Sequence, residues 1–565
     1  MVANGFHSKR TGDLLVLVNA VIVAIIINQI ASFYFFRLDL TEEKRYTIKE
    51  PTRQLLQQLP DEVFVEVFLA GDLNPGFTRF QKAISETLEE FRIFSDNRVK
   101  FIFTDPAQAK SDQDRQEYMR FLAAKGVLPL PVFETRDGQR IEKIVFPGAL
   151  ISFRGQERGV MLFKTNLTGR PQEVLNQAIE GIEYELANAI QLLTSDEIRT
   201  IGWVTGHEEL DTLQSASFRA ALTEKYLLQN VSLTNPTDLK SPSVLIFAKP
   251  KTSFTETEKY HLDQYLMQGG RALFMLDRLE ASMDSISRED YFAFPYELNL
   301  DDQLFKYGVR INQDLVQDRM AAPYPVVTSA VGGKPQIVKM EWPFFPLINL
   351  FADHPATRNM DAVILRFAST MDTIKATGVK KTPILFTSPY SRKNAAPVKV
   401  DINDLRNQAK ADAFNEGSLP MGFLLEGTFT SLYKNRFAPK GVNPDGFKAS
   451  SVPTRLIILA DGDIARNEVN WRQGRAQPLG YDPVTEYTFS NKDLLMNLVS
   501  YLVDPNGLIN ARNNEIKLRP LDTERIKGER TYWQVLNLVL PMVVLMVFGI
   551  LLMFWRKRRF TQFHS

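Results

Sequence analysis

The polar residues best placed for chemistry come directly after predicted β-strands. His207 and Glu208 follow the run Thr200 to Thr205, whose length and apolar content are typical of a buried strand. A histidine beside a carboxylate can accept a proton or hold a metal ion, and ligands of parallel sheets bind beyond the carboxyl ends of the strands. The sequence therefore predicts a candidate ligand pocket at this corner, with a purely structural polar turn as the alternative.

Two aspartates, Asp461 and Asp463, follow a second apolar run, Leu456 to Leu459, and belong to the same candidate pocket. The sequence from Asp461 to Asp463 resembles the start of a calcium-binding loop. However, the fifth position of that loop holds Ala465, and no glutamate occupies its last position. None of the five histidines is paired with another at ligand spacing. We therefore predict a turn here, and neither a metal ion nor a cofactor.

The common catalytic motifs are missing. Gly332-Gly333-Lys334 lacks the glycine spacing and the following hydroxyl residue of a phosphate loop, and the chain has no Gly-x-Ser-x-Gly or Gly-x-Gly-x-x-Gly sequence. Because the chain has no cysteine, disulfides, thiolate nucleophiles and cysteine metal sites are excluded. These absences predict a subunit that is not an enzyme.

The charge balance argues against nucleic acid as a partner. The 565 residues include 67 Lys and Arg against 66 Asp and Glu, a net charge of +1, with no long basic block. Binding to a phosphate backbone depends on clustered cations. We expect no nucleic-acid partner.

Two uncharged stretches, Leu14 to Phe36 and Thr531 to Trp555, bracket the polar body of the chain. Each is long enough to cross a hydrocarbon layer of about 30 Å as a helix. The first exceeds the apolar core of a signal peptide and lacks a small-residue cleavage site, so we expect an uncleaved anchor. The sequence predicts a two-pass membrane protein.

The short basic tails determine the predicted orientation, because short segments rich in Lys and Arg next to a span stay in the cytoplasm. Long regions cross the membrane largely regardless of their charge, so the basic residues of the body carry less weight. We expect both termini in the cytoplasm and the body in the periplasm, anchored in the inner membrane. The topology-setting residues are Lys9, Arg10, Arg556, Lys557, Arg558 and Arg559.

One face of the first predicted span carries small and polar side chains, which allow another helix to approach closely and form hydrogen bonds in lipid. We interpret this face as a helix-packing surface, with a plain anchor as the alternative. Its residues are Ala20, Ala24, Asn28, Ala31 and Ser32.

The sequence of the first part of the body predicts strands and helices in the order βαβαββ. Strands are expected at Val63 to Leu69 and Val99 to Phe103, followed by a hairpin of Ala149 to Phe153 and Gly159 to Phe163. This order resembles a thioredoxin-like domain, although redox chemistry is excluded without cysteine.

The second part alternates strands and helices, which predicts a doubly wound α/β domain around a parallel sheet. A helix from Pro171 leads into it, and the helix Lys492 to Leu502, capped by Asn491, ends it. Between about residues 280 and 453 the pattern is irregular, and the aromatic passage around Trp342 is expected to be core rather than an exposed patch.

Six segments of the sequence carry a family resemblance: Arg37 to Thr47, Gly76 to Ala83, Leu300 to Asp302, Tyr307 to Asn312, Ala460 to Asp463 and Thr531 to Gln534. They resemble the ABC-transporter auxiliary family, and more narrowly its gliding-motility-associated GldG group in the Bacteroidetes. The resemblance implies partnership with an ABC permease and a separate cytoplasmic ATPase, and with other gliding proteins. It also implies an amidotransferase-like fold for the second domain, without that fold's cysteine chemistry.

Two functional hypotheses follow. The first is a non-catalytic, membrane-anchored extracytoplasmic subunit of an ABC-transporter-like complex, and the second is a membrane-tethered hydrolase or small-ligand receptor that uses His207 and Glu208. The predicted divisions are a tail (1–13), a span (14–36), a thioredoxin-like domain (37–168), a connecting helix (169–196), a doubly wound domain (197–510), a juxtamembrane segment (511–530), a span (531–555) and a basic tail (556–565).

Overall fold

The computed structural model describes residues 9–33, 48–106, 111–136, 139–163, 171–195, 199–283, 291–331, 334–401, 411–504, 507–512 and 523–561. The chain divides into two compact units, Met1–Asn514 and Glu515–Ser565. The larger unit is a mixed α/β structure, and the described part of the smaller unit is one long helix.

The first part of the larger unit contains a four-stranded sheet in the order β2-β1-β5-β6. Strand β1 is parallel to β2 and antiparallel to β5, which is antiparallel to β6. The sequence predicted these four strands and missed a separate antiparallel hairpin, β3 with β4. The elements are α1 (Lys9–Phe33), α2 (Glu50–Gln57), β1 (Val63–Val67), α3 (Pro75–Phe94), β2 (Val99–Phe103), α4 (Asp112–Ala124), β3 (Leu130–Arg136), β4 (Gln139–Val145), β5 (Gly148–Phe153), β6 (Gln156–Met161) and α5 (Pro171–Thr194).

Helix α3 shows how local sequence sets this layer. Asn74 precedes the helix and its side-chain oxygen accepts a hydrogen bond of 2.9 Å from the amide of Phe77, while Pro75 supplies the preset backbone angle of a first helical turn. The apolar stripe of α3, which includes Ile84 and Leu88, is fully buried in the core of this layer. Capping and periodicity together explain why the helix begins and packs here.

The connecting helix α5 packs in the same core, and its buried Glu183 joins it to the chain around α2. The Glu183 carboxylate accepts hydrogen bonds of 2.7 Å from the hydroxyl of Thr52 and 2.7 Å from the amide of Lys49. These two hydrogen bonds satisfy the buried carboxylate and link α5 to the chain around α2.

The second part of the larger unit contains an eight-stranded sheet in the order β16-β19-β22-β23-β10-β9-β7-β8. Its elements and those of its loops are β7 (Thr200–Val204), α6 (Ala216–Thr223), β8 (Leu227–Val231), β9 (Val244–Ala248), α7 (Glu256–Met267), β10 (Arg271–Met275), β11 (Phe292–Ala293), α8 (Asp301–Tyr307), β12 (Val309–Ile311), β13 (Asp314–Asp318), β14 (Ala321–Val331), β15 (Lys334–Ile348), β16 (Leu350–Phe351), β17 (Val363–Ile364), β18 (Met371–Thr373), β19 (Val379–Phe386), β20 (Ser391–Ala395), β21 (Val398–Lys399), β22 (Pro420–Gly427), β23 (Thr454–Leu459), β24 (Val469–Asn470), β25 (Arg475–Ala476), β26 (Tyr481–Asp482), β27 (Tyr487–Thr488) and α9 (Asn491–Val503). Short 3-10 helices lie at Ala411–Ala413, Asp463–Ala465 and Leu508–Arg512.

Five neighbouring strands, β8, β7, β9, β10 and β23, run parallel. Alternate side chains enter two cores, with Trp203 and Ile246 on one face and Leu245 and Phe247 on the other. Burial on both faces is characteristic of parallel sheets. The predicted parallel sheet is confirmed for these five strands.

The region that the sequence predicts to be irregular is instead rich in β-structure. Strands β19 and β22 from this region extend the main sheet by antiparallel pairing, and β14 with β15 forms a long hairpin. The expectation that Trp342 is core is confirmed, since it is 1% exposed and stacks on Phe345 with ring centroids 5.3 Å apart.

The predicted cap of α9 is wrong. Helix α9 begins at Asn491 and has Ser490 before it, with no side-chain cap. The Asn491 side chain instead accepts a hydrogen bond of 3.0 Å from the backbone amide of Ile364. It also donates a hydrogen bond of 2.8 Å to the backbone carbonyl of Ile364. Asn491 therefore joins the helix to β17.

The smaller unit contains α10 (Thr523–Thr561). Within it, Glu529–Arg558 is the one helical segment of the described chain that is long and apolar enough to cross a membrane. In α1 the corresponding apolar segment, Leu14–Gln29, is shorter, and residues 34–36 of the predicted first span lie outside the described residues. The first span stays a prediction.

Candidate functional site

The carboxyl ends of the parallel strands lie at one edge of the main sheet and carry the polar residues of interest. His207 follows β7, Lys249 follows β9, and Asp277 follows β10. Asp461 and Asp463 follow β23, and all five residues are buried. Because parallel strands end together, this edge is where such folds bind ligands.

His207 lies in a closed aromatic and acidic environment. Its ring is 3% exposed and stacks on Phe254 with centroids 3.7 Å apart. Its Nδ1 lies 3.5 Å from a Glu209 carboxylate oxygen, and its Nε2 lies 3.4 Å from an oxygen of Glu258. The imidazole is thus held between two carboxylates at distances longer than ordinary hydrogen bonds.

These neighbours determine the charge of the ring. Burial lowers the pKa of His207, but the carboxylates of Glu209 and Glu258 more than offset it, so the pKa is raised. Burial raises the pKa of the Glu209 and Glu258 carboxyl groups. Hydrogen bonds and the charge of the imidazole outweigh burial, so the pKa of each carboxyl group is lowered. The arrangement favours an imidazolium between two carboxylates.

The loop that carries His207 is fastened over the neighbouring strand end. The His207 carbonyl accepts a hydrogen bond of 2.7 Å from the amide of Lys251, and the Leu210 amide donates one of 3.1 Å to Ala248. Glu208 is exposed with a φ of 52°. The carboxylate beside the ring therefore belongs to Glu209, and the place of Glu208 in a ligand pocket stays a prediction.

The two predicted aspartates belong to a separate cluster around Lys249. The Lys249 ammonium lies 2.8 Å from a carboxylate oxygen of Asp277 and 2.6 Å from one of Asp463. Asp461 accepts hydrogen bonds from the amides of Arg366 at 2.7 Å and Ile464 at 3.1 Å. The structure thus assigns His207 and the two aspartates to different clusters.

Charge coupling in this cluster is strong because its members are buried. Burial lowers the pKa of Lys249, but Asp277 and Asp463 outweigh it and the pKa is raised. Burial and then the charges of Asp277 and Asp463 raise the pKa of Asp461 well above its usual range. Protonation of Asp461 therefore relieves repulsion among the carboxylates.

The donor set of Asp277, Asp461 and Asp463 has the spacing of a metal site, since one oxygen from each lies within 4.8 Å of the others. However, the ammonium of Lys249 already contacts two of these three carboxylates. A second cation here would be repelled at short range. The ammonium of Lys249 offsets part of the negative charge of the three carboxyl groups, and these residues do not fit a metal ion.

Comparison with known proteins identifies a family for the part of the chain that contains both clusters. Residues 198–498, which contain both clusters, match the family model described as an ABC-type uncharacterized transport system. The chain belongs to the ABC-transporter auxiliary family. Residues 42–152 match a domain of unknown function, so both α/β parts of the chain have family relatives.

Two further similarities cover large parts of the chain. A curated relative from Borreliella burgdorferi, described as an uncharacterized protein, is 20% identical over 569 residues, 98% of this chain and 99% of the relative. Among solved structures, the mmIFT52 N-terminal domain aligns with 54% of this chain and 97% of its own length, at 15% identity and a TM-score of 0.31.

The membrane-associated residues predicted for this family member lie on helices at both ends of the chain. Ala20, Ala24 and Asn28 are exposed on α1, whereas the side chains of Ala31 and Ser32 lie outside the described part. The basic residues after the apolar segment of α10, Arg556, Lys557 and Arg558, are exposed, while the side chains of Lys9, Arg10 and Arg559 are not described. Their packing and topology roles stay predictions.

Sequence reasoning missed Lys249, Asp277 and Glu258. Lys249 and Asp277 carry the same signal as Asp461, a charged residue placed directly after a buried strand. Glu258 is the third residue of α7 and forms a capping box with Thr255. A search for charged residues at every predicted strand end would have found the first two.

Proposed function

We propose that this protein is a non-catalytic, membrane-anchored extracytoplasmic subunit of an ABC-type transport complex. The match of residues 198–498 to the ABC-transporter auxiliary family carries the proposal. The closed geometry of both strand-end clusters is consistent with it, because His207 is fastened between Phe254, Glu209 and Glu258. A rigid, filled strand edge suits a mechanical or assembly role.

The anchor is the exposed apolar segment Glu529–Arg558 of α10. At 1.5 Å per residue its length is about 45 Å, enough to cross the hydrocarbon core. Trp533 and Trp555 lie near the two ends of the segment, and Arg556, Lys557 and Arg558 close it, as at the cytoplasmic end of a span. We propose that Leu14 to Phe36 forms a second anchor, which leaves both termini in the cytoplasm and the body in the periplasm.

The partners follow from this assignment. The chain lacks a phosphate loop, so we propose that a separate cytoplasmic ATPase supplies energy and that an ABC permease lies beside the spans. The gliding-motility association and contacts with other gliding proteins belong to the GldG-like part of the proposal, which rests on the sequence resemblance alone.

We propose thioredoxin-like and amidotransferase-like folds for the two α/β parts, with the boundaries 37–168, 169–196 and 197–510. The strand order β2-β1-β5-β6, with one parallel and two antiparallel pairings, supports the first. The five parallel strands with cores on both faces support the second.

Gentle detergent extraction followed by affinity purification of the full chain tests the partner assignment. We expect the permease and the ATPase to elute with it, and to be absent from a mock purification of untagged membranes. Recovery of the chain alone, after mild cross-linking of intact cells, would contradict the proposal.

Two fractionation experiments test the anchoring. Carbonate washing should leave the chain in the membrane pellet, and protease added to spheroplasts should digest the body. Release by carbonate would contradict a span, and full protection from protease would contradict the periplasmic location.

The alternative is a membrane-tethered hydrolase or small-ligand receptor that uses the His207 corner. Its support is the buried imidazole between two carboxylates, since perturbed groups of this kind cluster at functional sites. His207→Ala should abolish turnover or ligand binding under this alternative while the fold persists. If transport-complex function survives that change in a folded protein, the corner is structural.

A further inference from the structure

A short hairpin that follows β23 presents an aromatic side chain to solvent. The hairpin pairs β24 (Val469–Asn470) with β25 (Arg475–Ala476), and Trp471 in its loop is 69% exposed. Tryptophan is highly buried on average in folded proteins, so an indole ring this exposed is unusual. The loop is therefore a candidate contact with another component of the cell.

Hydrogen bonds give the hairpin loop a defined shape. The Asn470 carbonyl accepts a hydrogen bond of 3.1 Å from the amide of Gln473, and the Asn470 side-chain oxygen lies 3.3 Å from the same amide. Gly474 has a φ of 60°, the left-handed conformation that lets the chain return to the second strand. The exposed ring of Trp471 thus belongs to an ordered turn.

The base of the hairpin is fixed to the body. The amide of Gln477 donates a hydrogen bond of 2.8 Å to the carbonyl of Glu468, and the Glu468 carboxylate is paired with the guanidinium of Arg366. The buried side chain of Asn467 donates a hydrogen bond of 3.0 Å to the carbonyl of Leu213. A hairpin held in this way keeps its loop at a constant position on the body.

Two arginines accompany the exposed ring. Arg472 and Arg475 are exposed, and within the described part of the chain neither forms an ion pair or a side-chain hydrogen bond. Trp471 has no ring contact with any described residue either. Residues 469–476 include no acidic residue. The hairpin therefore carries positive charge that the described chain does not neutralise, and this charge complements an anionic surface.

The size of the hairpin favours a lipid surface over a protein partner. A stable protein interface uses about 20–30 residues on each side, whereas this hairpin spans residues 469–476. A bilayer surface needs no matching shape. Indole rings prefer the boundary between headgroups and hydrocarbon, and arginine side chains are attracted to anionic headgroups. Its residue types therefore suit contact with an anionic bilayer.

We propose that this hairpin binds the surface of an anionic lipid bilayer. Trp471 enters the interfacial layer, and Arg472 and Arg475 bind lipid phosphate groups. The inference rests on the proposed membrane anchoring, because a chain held in the membrane by α10 meets lipid at high local concentration, so one weak contact is sufficient. The contact limits rotation of the body at the bilayer surface.

Spin labelling of the full chain tests this contact. The chain has no cysteine, so an introduced cysteine carries a nitroxide at one chosen position. Gln473→Cys labels the loop and keeps Trp471 and both arginines. In nanodiscs that contain phosphatidylglycerol, we expect the label to collide with a water-soluble nickel chelate about threefold less often than in nanodiscs of phosphatidylcholine alone, because the headgroups are anionic.

Variants of the labelled chain identify the groups responsible. Removal of both cations by Arg472→Gln and Arg475→Gln should restore nickel accessibility, and so should about 0.5 M salt, which screens exposed charges. Trp471→Ser should also raise accessibility. The matched control is Lys240→Cys, an exposed position of the same domain outside the hairpin, where the label should be equally accessible in both lipids.

Two results would overturn the proposal. One is equal nickel accessibility of the Gln473→Cys label in both lipids, and the other is protection that persists both in high salt and without the two arginines. Protection that appears only when a co-purified protein is present would assign the loop to an acidic protein surface and would also overturn it.

A second label separates this inference from the anchoring on which it depends. Val544→Cys lies within the apolar segment Glu529–Arg558, so its label should be accessible to oxygen and protected from nickel in both lipids. If that label is protected while the Gln473→Cys label is exposed in both lipids, the loop contact is refuted and the anchoring stands. Nickel accessibility at Val544→Cys would refute the anchoring itself.

Discussion

Replacement of Lys249 by methionine removes the cation at the centre of the aspartate cluster. The ammonium contacts Asp277 at 2.8 Å and Asp463 at 2.6 Å, and its side chain is 5% exposed. Methionine keeps most of the volume of lysine, so the packing of the stem is retained. The variant leaves three buried carboxyl groups without their principal counter-charge.

The expected cost follows from the burial. Removing one partner of a buried ion pair typically destabilises a protein by about 3–5 kcal/mol, because the remaining charge is left uncompensated. Carboxyl groups in the variant can lower this cost by binding protons, since their pKa in the folded state rises above the unfolded value. The variant therefore binds more protons when folded, and its deficit should shrink as pH falls from about 8 to about 5.

Urea unfolding of the full chain, followed by near-ultraviolet circular dichroism, measures this deficit against wild type at both pH values. The matched control is Lys251→Met, because Lys251 is exposed two residues further on and should change stability by less than about 0.5 kcal/mol. A deficit below about 1 kcal/mol for Lys249→Met, or one that grows on acidification, would refute the charge argument.

Three more predictions concern other parts of the fold. The raised pKa of His207 means that its stabilising contribution is fully present below about pH 6.5 and is lost as pH rises through the folded pKa, so the advantage of wild type over His207→Gln should be larger at about pH 5.5 than at about pH 9 in urea unfolding. Trp342→Ala should cost about 3–5 kcal/mol in chemical unfolding because the ring is 1% exposed, whereas Trp471→Ala, where the ring is 69% exposed, should cost less than about 0.5 kcal/mol. Asn74→Ala should cost about 1 kcal/mol in the same assay by removing the cap of α3, and Asn74→Ser should restore most of it.

Each of these has a contrary outcome. A stability difference between wild type and His207→Gln that does not vary with pH would exclude the imidazolium. Equal costs for the two tryptophan changes would contradict the assigned burial, and no loss for Asn74→Ala would show that the cap contributes little.

Apolar runs predicted the main strands because a strand buried on both faces needs apolar side chains at every position. Strand β7 (Thr200–Val204) lies almost where the run Thr200 to Thr205 predicts it, and β23 (Thr454–Leu459) contains the run Leu456 to Leu459. The hairpin strands β14 and β15 were missed because prolines such as Pro325 and Pro335 within them weaken a strand signal.

The candidate site was predictable only in part. The place of Asp461 and Asp463 after a strand predicts them as candidate residues, but no local pattern identifies Lys249 as their partner or Glu209 as the carboxylate beside His207. The sequence pattern predicts Asn491 as a helix cap, whereas in the folded chain its side chain forms hydrogen bonds with Ile364 of β17. Local patterns identify polar residues and leave their partners open.

The sequence by itself determined the strands of the parallel sheet, the apolar helix in α10, and the exclusion of thiol and phosphate-loop chemistry, because these depend on residue type and local spacing. Only the tertiary structure decided that β23 lies beside β10 and that Lys249 contacts aspartates from two other strand ends. Strand order is set by the burial of both sheet faces at once, a non-local balance that no single segment encodes.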